Sequence, residues 1–388
     1  MQTRPCWVEI STRALENNFR FIRGIASHAE VLAIVKADAY GHSLALCAPA
    51  VVRAGAHWLG VTSVEEGVAA RERCPDTRIV VMGGIFPGQG AALVRDRLTP
   101  VVWTFDQLDE LSAAAHSREG SLPIHLEINT GMSRQGVDPE RLSEMLGRIA
   151  ANPVFRLEAV TTHLYASDER DGRTTALQLV VLKEAFEVIR SHPSGSVNSP
   201  GWVSLGASAA ILGADMGAIL DLSLSHMPIR LVRPGLALYG VAPRFEPATD
   251  PSPFSGLEPV LAWKSRVVSV REVQAGAEIG YNSTFVATEP MRLALIAAGY
   301  ADGLDRRLGN RFSLLVRGRR APITGRISMD QTVLDVTEIA GVEAGDEVVI
   351  LGSQGGEAIT AYDHADAAGT IPWEVFTRIG ARVPRVEV

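Results

Sequence analysis

Between about residue 11 and residue 240, apolar runs of four to six residues alternate with stretches of helical periodicity, and few architectures tolerate that alternation. The runs are Val31–Val35, Trp58–Val61, Ile79–Met82, Thr99–Trp103, Ile124–Ile128, Arg156–Thr161 and Trp202–Leu205. Helical patterns lie between them at Ser63–Arg73 and Thr174–Arg190. The first helix opens at Ser11 or Thr12 as N-cap, with Leu15, Phe19 and Ile22 on one face. Strands alternating with helices pair in parallel, because each crossover returns the chain to the same end of the sheet. More than two hundred residues of this pattern match a (β/α)8 barrel of the TIM type, whose usual size is roughly 250 residues. An open doubly wound sheet fits less well, since no G-x-G-x-x-G follows the first strand.

Near residue 243 the texture changes. "APRFEPATDPSPFSGLEP" is rich in proline, glycine and serine, as a linker or long loop would be. Beyond it come β-type runs at Val260–Val270, Leu293–Ala297, Phe312–Val316, Thr332–Val336 and Glu347–Leu351, with a helical end at Trp373–Arg378. The expected fold class is therefore α/β: an N-terminal barrel over residues 11–243, then a C-terminal mainly-β domain over residues 244–388. Residues 1–10 are expected to join the second domain as an extra strand.

A net charge of −7 provides no basic stripe for a phosphate backbone, which argues against nucleic-acid binding. Arg317–Arg320 reads as a solvated hairpin turn. No run approaches the ~20 apolar residues of a membrane span. The first ten residues lack the apolar core of a signal peptide, so a cytoplasmic protein is expected. The three cysteines, Cys6, Cys47 and Cys74, show no metal-ligand spacing and read as thiols in a reducing compartment. No metal is expected.

Barrel enzymes carry reactive groups at the C-terminal ends of their strands. "AIVKADAYGH" sets Lys36 at such an end, with Asp38, Tyr40 and His42 crowding the following turn. A lysine partly desolvated by apolar neighbours has a lowered pKa and can form a Schiff base, although most strand-end lysines are simply solvated. "LEINTGMSRQG" brings Arg134 to a second strand end, and "TTHLYASDE" brings His163 and Asp168 to a third. "LGASAAIL" and "LVRPGLALYG" supply Ser208, Arg233 and Gly235. Each loop alone is a weak signal. Five polar loops on successive strand ends, one with a lysine and one with a phosphate-friendly glycine, are together a strong signal.

These motifs, followed by "EIGYNSTF", "AAGYADGLDRRL" and "GRISMDQT", occur in the order found in the pyridoxal-phosphate-dependent alanine racemases. The chain resembles that family from its first helix to the final "RVPR". The resemblance implies that Lys36 holds pyridoxal 5'-phosphate and acts as one of two acid–base groups. The other is Tyr281, reaching in from the partner subunit of a homodimer with composite active sites. It further implies that Tyr40, Ser208 and the backbone N–H groups of Gly235 and Leu236 hold the phosphate. Arg233 faces the pyridine nitrogen and His163 packs beside the cofactor, hydrogen-bonded to Arg233. Arg134 lies near the phenolic oxygen, and with Tyr300 and Met329 it receives the substrate carboxylate. Racemisation of L- and D-alanine, supplying D-alanine, is the expected activity.

Several positions depart from the family pattern. Glu127 stands where relatives have a lysine, and its carboxylate is expected to orient Arg134. Ala381 replaces a phosphate-contacting tyrosine, Ser328 replaces a cysteine, and Tyr165 is bulkier than usual. The segment between Ser208 and Arg233 is about ten residues longer than usual. These changes leave open a racemase acting on serine or on a broader set of amino acids. A non-catalytic cofactor carrier would lack the β domain. A barrel decarboxylase would place a carboxylate, rather than Arg233, at the pyridine nitrogen.

Overall fold

The computed structural model describes residues 4–26, 29–116, 120–197, 199–213, 229–246 and 256–388 of the chain. Its first strand, β1 (Cys6–Ile10), belongs to the second of two units, and the barrel follows it. Strands β2 (Ala29–Ile34), β3 (Trp58–Val61), β4 (Arg78–Val81), β5 (Thr99–Val102), β6 (Leu122–Glu127), β7 (Phe155–Thr161), β8 (Trp202–Ser204) and β9 (Ile229–Val232) close in that order. Every neighbouring pair is parallel, and β9 closes on β2 with Val232 opposite Val31. The described residues of Arg13–Ala39 and Leu44–Glu258 form this unit. The expected α/β barrel is what the chain adopts.

Strands as short as β3 and β5 hold because all four residues of each are buried, as in a sheet covered on both faces. The helices outside follow their sequence cues. Helix Thr12–Ala26 buries Leu15, Phe19 and Ile22. Helix Val64–Arg73 opens with a capping box between Ser63 and Glu66, and helix Phe105–Ala115 with one between Thr104 and Gln107. Helix Arg173–Ser191 buries Leu179, Leu182, Phe186 and Ile189 at helical spacing.

Side chains from non-adjacent strands meet inside the barrel. Trp58 of β3 packs edge-on against Trp202 of β8 at 5.4 Å and lies 5.8 Å from the ring of His125 of β6. Glu158 of β7, also buried, lies 3.4 Å from His125 and accepts hydrogen bonds from Arg78 (3.2 Å) and Arg156 (2.8 Å).

The second unit takes in the described residues of Met1–Thr12, Tyr40–Ser43 and Pro259–Val388. It is built on β10 (Leu261–Val273), whose first half pairs with β1, and whose second half, past a bulge at Val267–Ser269, turns onto a neighbouring antiparallel strand, Met291–Ile296. Strands Ser313–Val316 and Arg319–Pro322 are joined by the tight turn Arg317-Gly318, both at positive φ, as a hairpin of this length demands. The arginines around this turn are paired, Arg317 with Asp346 and Arg320 with Glu357. All three cysteines are buried, and none is in a disulfide. Among the described residues, no helix is long and apolar enough to cross a membrane, and no cluster of His, Cys, Asp or Glu could hold a metal ion. Most of the lengthened 209–232 segment lies outside the described residues.

Candidate active site

Five of the barrel's strand ends carry the residues singled out from the sequence. The chain leaves β2 at Ile34, keeps one further ladder bond from Val35 N–H to the Gly60 carbonyl, and reaches Lys36. Here it does something unusual. Ala37, Asp38 and Ala39 adopt φ of 51°, 51° and 55° and Tyr40 a φ of 56°, so the turn after Lys36 is left-handed. Such a conformation costs roughly 1–2 kcal/mol per non-glycine residue and persists only where its surroundings enforce it.

The end of β9 lies against this strand end, with Pro234 O accepting from Ile34 N–H (3.2 Å) and the Tyr239 hydroxyl donating to Ile34 O (2.8 Å). Arg233 follows β9 directly. Its guanidinium donates to the Thr161 hydroxyl, to Thr162 O at 2.5 Å and to His163 Nδ1 at 3.3 Å. Because arginine only donates, His163 must present Nδ1 unprotonated and carry its proton on Nε2. Burial, with Arg233, Arg134 and Lys36 nearby, depresses His163 to about 3, so the ring is neutral. Burial also lowers the Arg233 pKa; Glu127 opposes this and Arg134 adds to it, but a guanidinium stays charged.

Lys36 is half-buried. Its pKa is lowered by that burial and by the arginines Arg134 and Arg233, against the pull of Glu66. Arg134 sits on an exposed loop shaped by Asn129, whose side chain accepts the amides of Gly131 (3.1 Å) and Ser133 (3.0 Å). The loop folds back so closely that a Cβ on Gly136 would lie 2.5 Å from Asn129 N. No hydrogen bond or ion pair engages Arg134 among the described residues.

The expectation that Glu127 orients Arg134 is not what the geometry gives. Glu127 accepts from Gln135 Nε2 at 2.8 Å, one residue further along the loop, and Gln135 also reaches Met82 O at 3.3 Å. At the phosphate-friendly loops, Ser208 Oγ accepts the N–H groups of Gly235 and Ala237, both at 3.1 Å. Leu236 opens a short helical turn, where its N–H has no intrahelical acceptor.

The remaining predicted residues lie in the second unit. Tyr40 is buried, and burial pushes its phenol up to about 12, so it is a hydrogen-bond donor. Tyr300 and Met329 are brought side by side by backbone bonds from Tyr300 N–H to Ser328 O and Ala301 N–H to Met329 O, both 3.0 Å. Gly299 permits this approach, since a Cβ there would lie 2.4 Å from Met329 O. Tyr281, Tyr300 and Met329 are exposed by 66%, 41% and 53%, far more than apolar side chains of a core. Ser328, in place of a cysteine, uses its hydroxyl within its own turn, donating to Gln331 O at 2.6 Å. Ala381 is exposed, and so is Tyr165, near Gly131.

Three supporting residues escaped the sequence reading. Gln178 ties the loop of His163 to Thr130, and Glu66 reaches the turn after Lys36. Asp302, fully buried, gathers Arg4, Arg382 and the amide of Gly299 beside Tyr300. Only Glu66 carried a visible signal, as the fourth residue of an S-x-x-E capping box.

Residues 10–243 match the family model described as alanine racemase, N-terminal domain, and residues 260–387 match that of the C-terminal domain. The chain is 36% identical over 377 residues to the alanine racemase of Syntrophobacter fumaroxidans, covering 96% of this chain and 95% of that one. Its fold superimposes on the alanine racemase of D-cycloserine-producing Streptomyces lavendulae with a TM-score of 0.89 at 33% identity, over 100% and 98% of the two chains. The alanine racemase of Bartonella henselae, solved with covalently bound pyridoxal phosphate, matches at a TM-score of 0.84 and 26% identity over the full length of both chains.

Proposed function

The chain belongs to the alanine racemase family of isomerases, and we propose that it interconverts L- and D-alanine with pyridoxal phosphate held on Lys36. The observation that carries this reading is the pairing of a desolvated strand-end lysine with Arg233, a cation that donates to a neutral His163 where a ring nitrogen would be met. The donor set suits the cofactor. Lys36 provides the amine. Ser208, Tyr40 and the N–H groups of Gly235 and Leu236 provide hydroxyl and amide donors for a phosphate.

Pyridoxal phosphate, when bound, draws electrons from the substrate's Cα and so makes its proton removable. The protein's part is to hold and move protons. A lowered pKa gives Lys36 a larger share of free amine near neutral pH, as a base on one face of Cα needs. Tyr281 of the partner subunit is the acid–base group on the other face. Arg233 keeps its own proton, so it would meet the cofactor's ring nitrogen as a hydrogen-bond donor and not as an acid. Arg134, with Tyr300 and Met329 of the partner subunit, receives the substrate carboxylate. The exposure of Tyr281, Tyr300 and Met329 is what a homodimer would cover. Three buried cysteines outside any disulfide accord with a cytoplasmic protein, and its role is to supply D-alanine.

A chiral assay of cofactor-loaded protein with L-alanine and L-serine side by side, with Lys36→Ala as control, tests the reading. Fast D-alanine formation, abolished in the control, is the expected result. Faster turnover of serine would transfer the assignment to a serine racemase, and no turnover at all with cofactor still bound would overturn it.

A further inference from the structure

Three of the contacts on the left-handed turn after Lys36 bear on the residues nearest the lysine. Ala39 N–H donates to Val35 O at 2.9 Å, and Leu44 N–H donates to Asp38 Oδ1 at 2.6 Å. Both arise close by in the chain. The third comes from the next βα unit, where Glu66 Oε1 accepts the Ala37 amide at 2.6 Å.

Glu66 already has a local task. Its other oxygen, Oε2, accepts the amides of Thr62 (2.8 Å) and Ser63 (3.4 Å), and its own amide donates to the Ser63 hydroxyl at 3.2 Å. A capping box needs nothing more than that exchange. Oε1 is therefore available for the peptide that joins Lys36 to Ala37. The charged groups acting on the Lys36 amine are Arg134, Arg233 and Glu66, and of these Glu66 is the anion.

We propose that Glu66 is a positioning residue for Lys36: by clamping the Ala37 amide it fixes the backbone from which the lysine projects. This rests on Lys36 being the cofactor lysine. That premise is tested separately, by borohydride reduction of the wild-type holoenzyme and mapping of the modified peptide.

The inference is tested on the full-length chain freed of cofactor, through the pH dependence of Lys36 acetylation and the hydrogen exchange of the Ala37 amide. Glu66→Gln removes the charge that favours the protonated amine, so the acetylation midpoint should fall by about 0.5–1 pH unit. Exchange at Ala37 should accelerate about tenfold or more, and in the reloaded enzyme kcat should drop more than KM rises. Ser63→Ala weakens the same helix cap from its other side, yet should leave the acetylation midpoint and the Ala37 exchange as they are. If Glu66→Gln fails to fold, Glu66→Asp keeps the charge and the cap but shortens the reach to Ala37, and should accelerate exchange there. Equal effects of Ser63→Ala and Glu66→Gln on Lys36, or none from Glu66→Gln or Glu66→Asp, would reduce Glu66 to a helix cap and overturn the proposal. A midpoint shift without Lys36 in the reduced peptide would instead refute the cofactor assignment alone.

Discussion

Replacing Gln178 by leucine should damage the site from beneath without touching any group that meets substrate. Gln178 is buried on helix Arg173–Ser191, and its amide group makes three hydrogen bonds. It donates to Thr130 Oγ1 and His163 O, both at 2.9 Å, and accepts from Tyr165 N–H at 3.1 Å. Leucine fills a similar volume and satisfies none of these. Thr130 keeps its bond to Thr162 Oγ1 at 2.8 Å, so the groups left wanting are the His163 carbonyl and the Tyr165 amide. At about 1 kcal/mol for each partly buried orphan, plus the lost Thr130 contact, the loss should be about 2–3 kcal/mol. His163 also receives Arg233, so a loosened His163 backbone should weaken pyridoxal phosphate binding by about tenfold, or 1.4 kcal/mol. Urea unfolding followed by the fluorescence of the barrel tryptophans Trp58 and Trp202 reads the first effect, and equilibrium dialysis reads the second. A stability loss below about 0.5 kcal/mol with unchanged affinity would refute the reasoning.

Acid should weaken the barrel in two stages. Burial holds His125 below the ordinary imidazole value, whereas for Glu158 burial is outweighed by His125 and Arg156, which carry it down to about 2. Both groups are depressed in the fold, so each contributes stability above its unfolded pKa: His125's share fades below about 6.5 and Glu158's between about 4.3 and 2. A urea midpoint that stayed flat from pH 7 to pH 4 would contradict this. Asp302→Asn strips the anion from Arg4 and Arg382 and should cost about 2–3 kcal/mol, below the range for fully buried pairs because both arginines remain partly exposed. It should also raise KM for alanine more than it lowers kcat, since Tyr300 and Met329 lose their anchorage. Ser208→Ala removes the acceptor of two amides, and cofactor affinity measured by dialysis should fall about tenfold or more while saturating cofactor restores kcat.

The barrel was legible because its strands are continuous apolar runs between helices with recognisable caps. Seven of the eight stood out, and β3 has the predicted limits, Trp58–Val61. The eighth, β9, is Ile-Arg-Leu-Val: four residues broken by Arg230 and read only as part of a loop. Edge strands such as Arg319–Pro322 and Arg385–Glu387 escaped for a related reason, since charged side chains suit a solvent-facing edge and mask the alternation. The residues expected to touch cofactor or substrate could be named from their motifs. Their supports could not. Nothing in Ala37–Tyr40 announces a left-handed turn, because no glycine marks it. Gln178 and Asp302 read as ordinary polar residues until the fold buries them. Glu127 shows the same limit from the other side: the sequence suggested Arg134 as its partner, and the backbone of the loop delivered Gln135.

The central claim, that each active site combines Lys36 of one chain with Tyr281 of its partner, is tested most directly by mixing two dead variants. Lys36→Ala and Tyr281→Phe, each inactive alone, are unfolded together in equal amounts, refolded with pyridoxal phosphate and assayed for D-alanine. Random pairing makes about half of the dimers mixed, each with one intact site, so the account predicts about a quarter of the wild-type activity. A mixture as inactive as its components would contradict it.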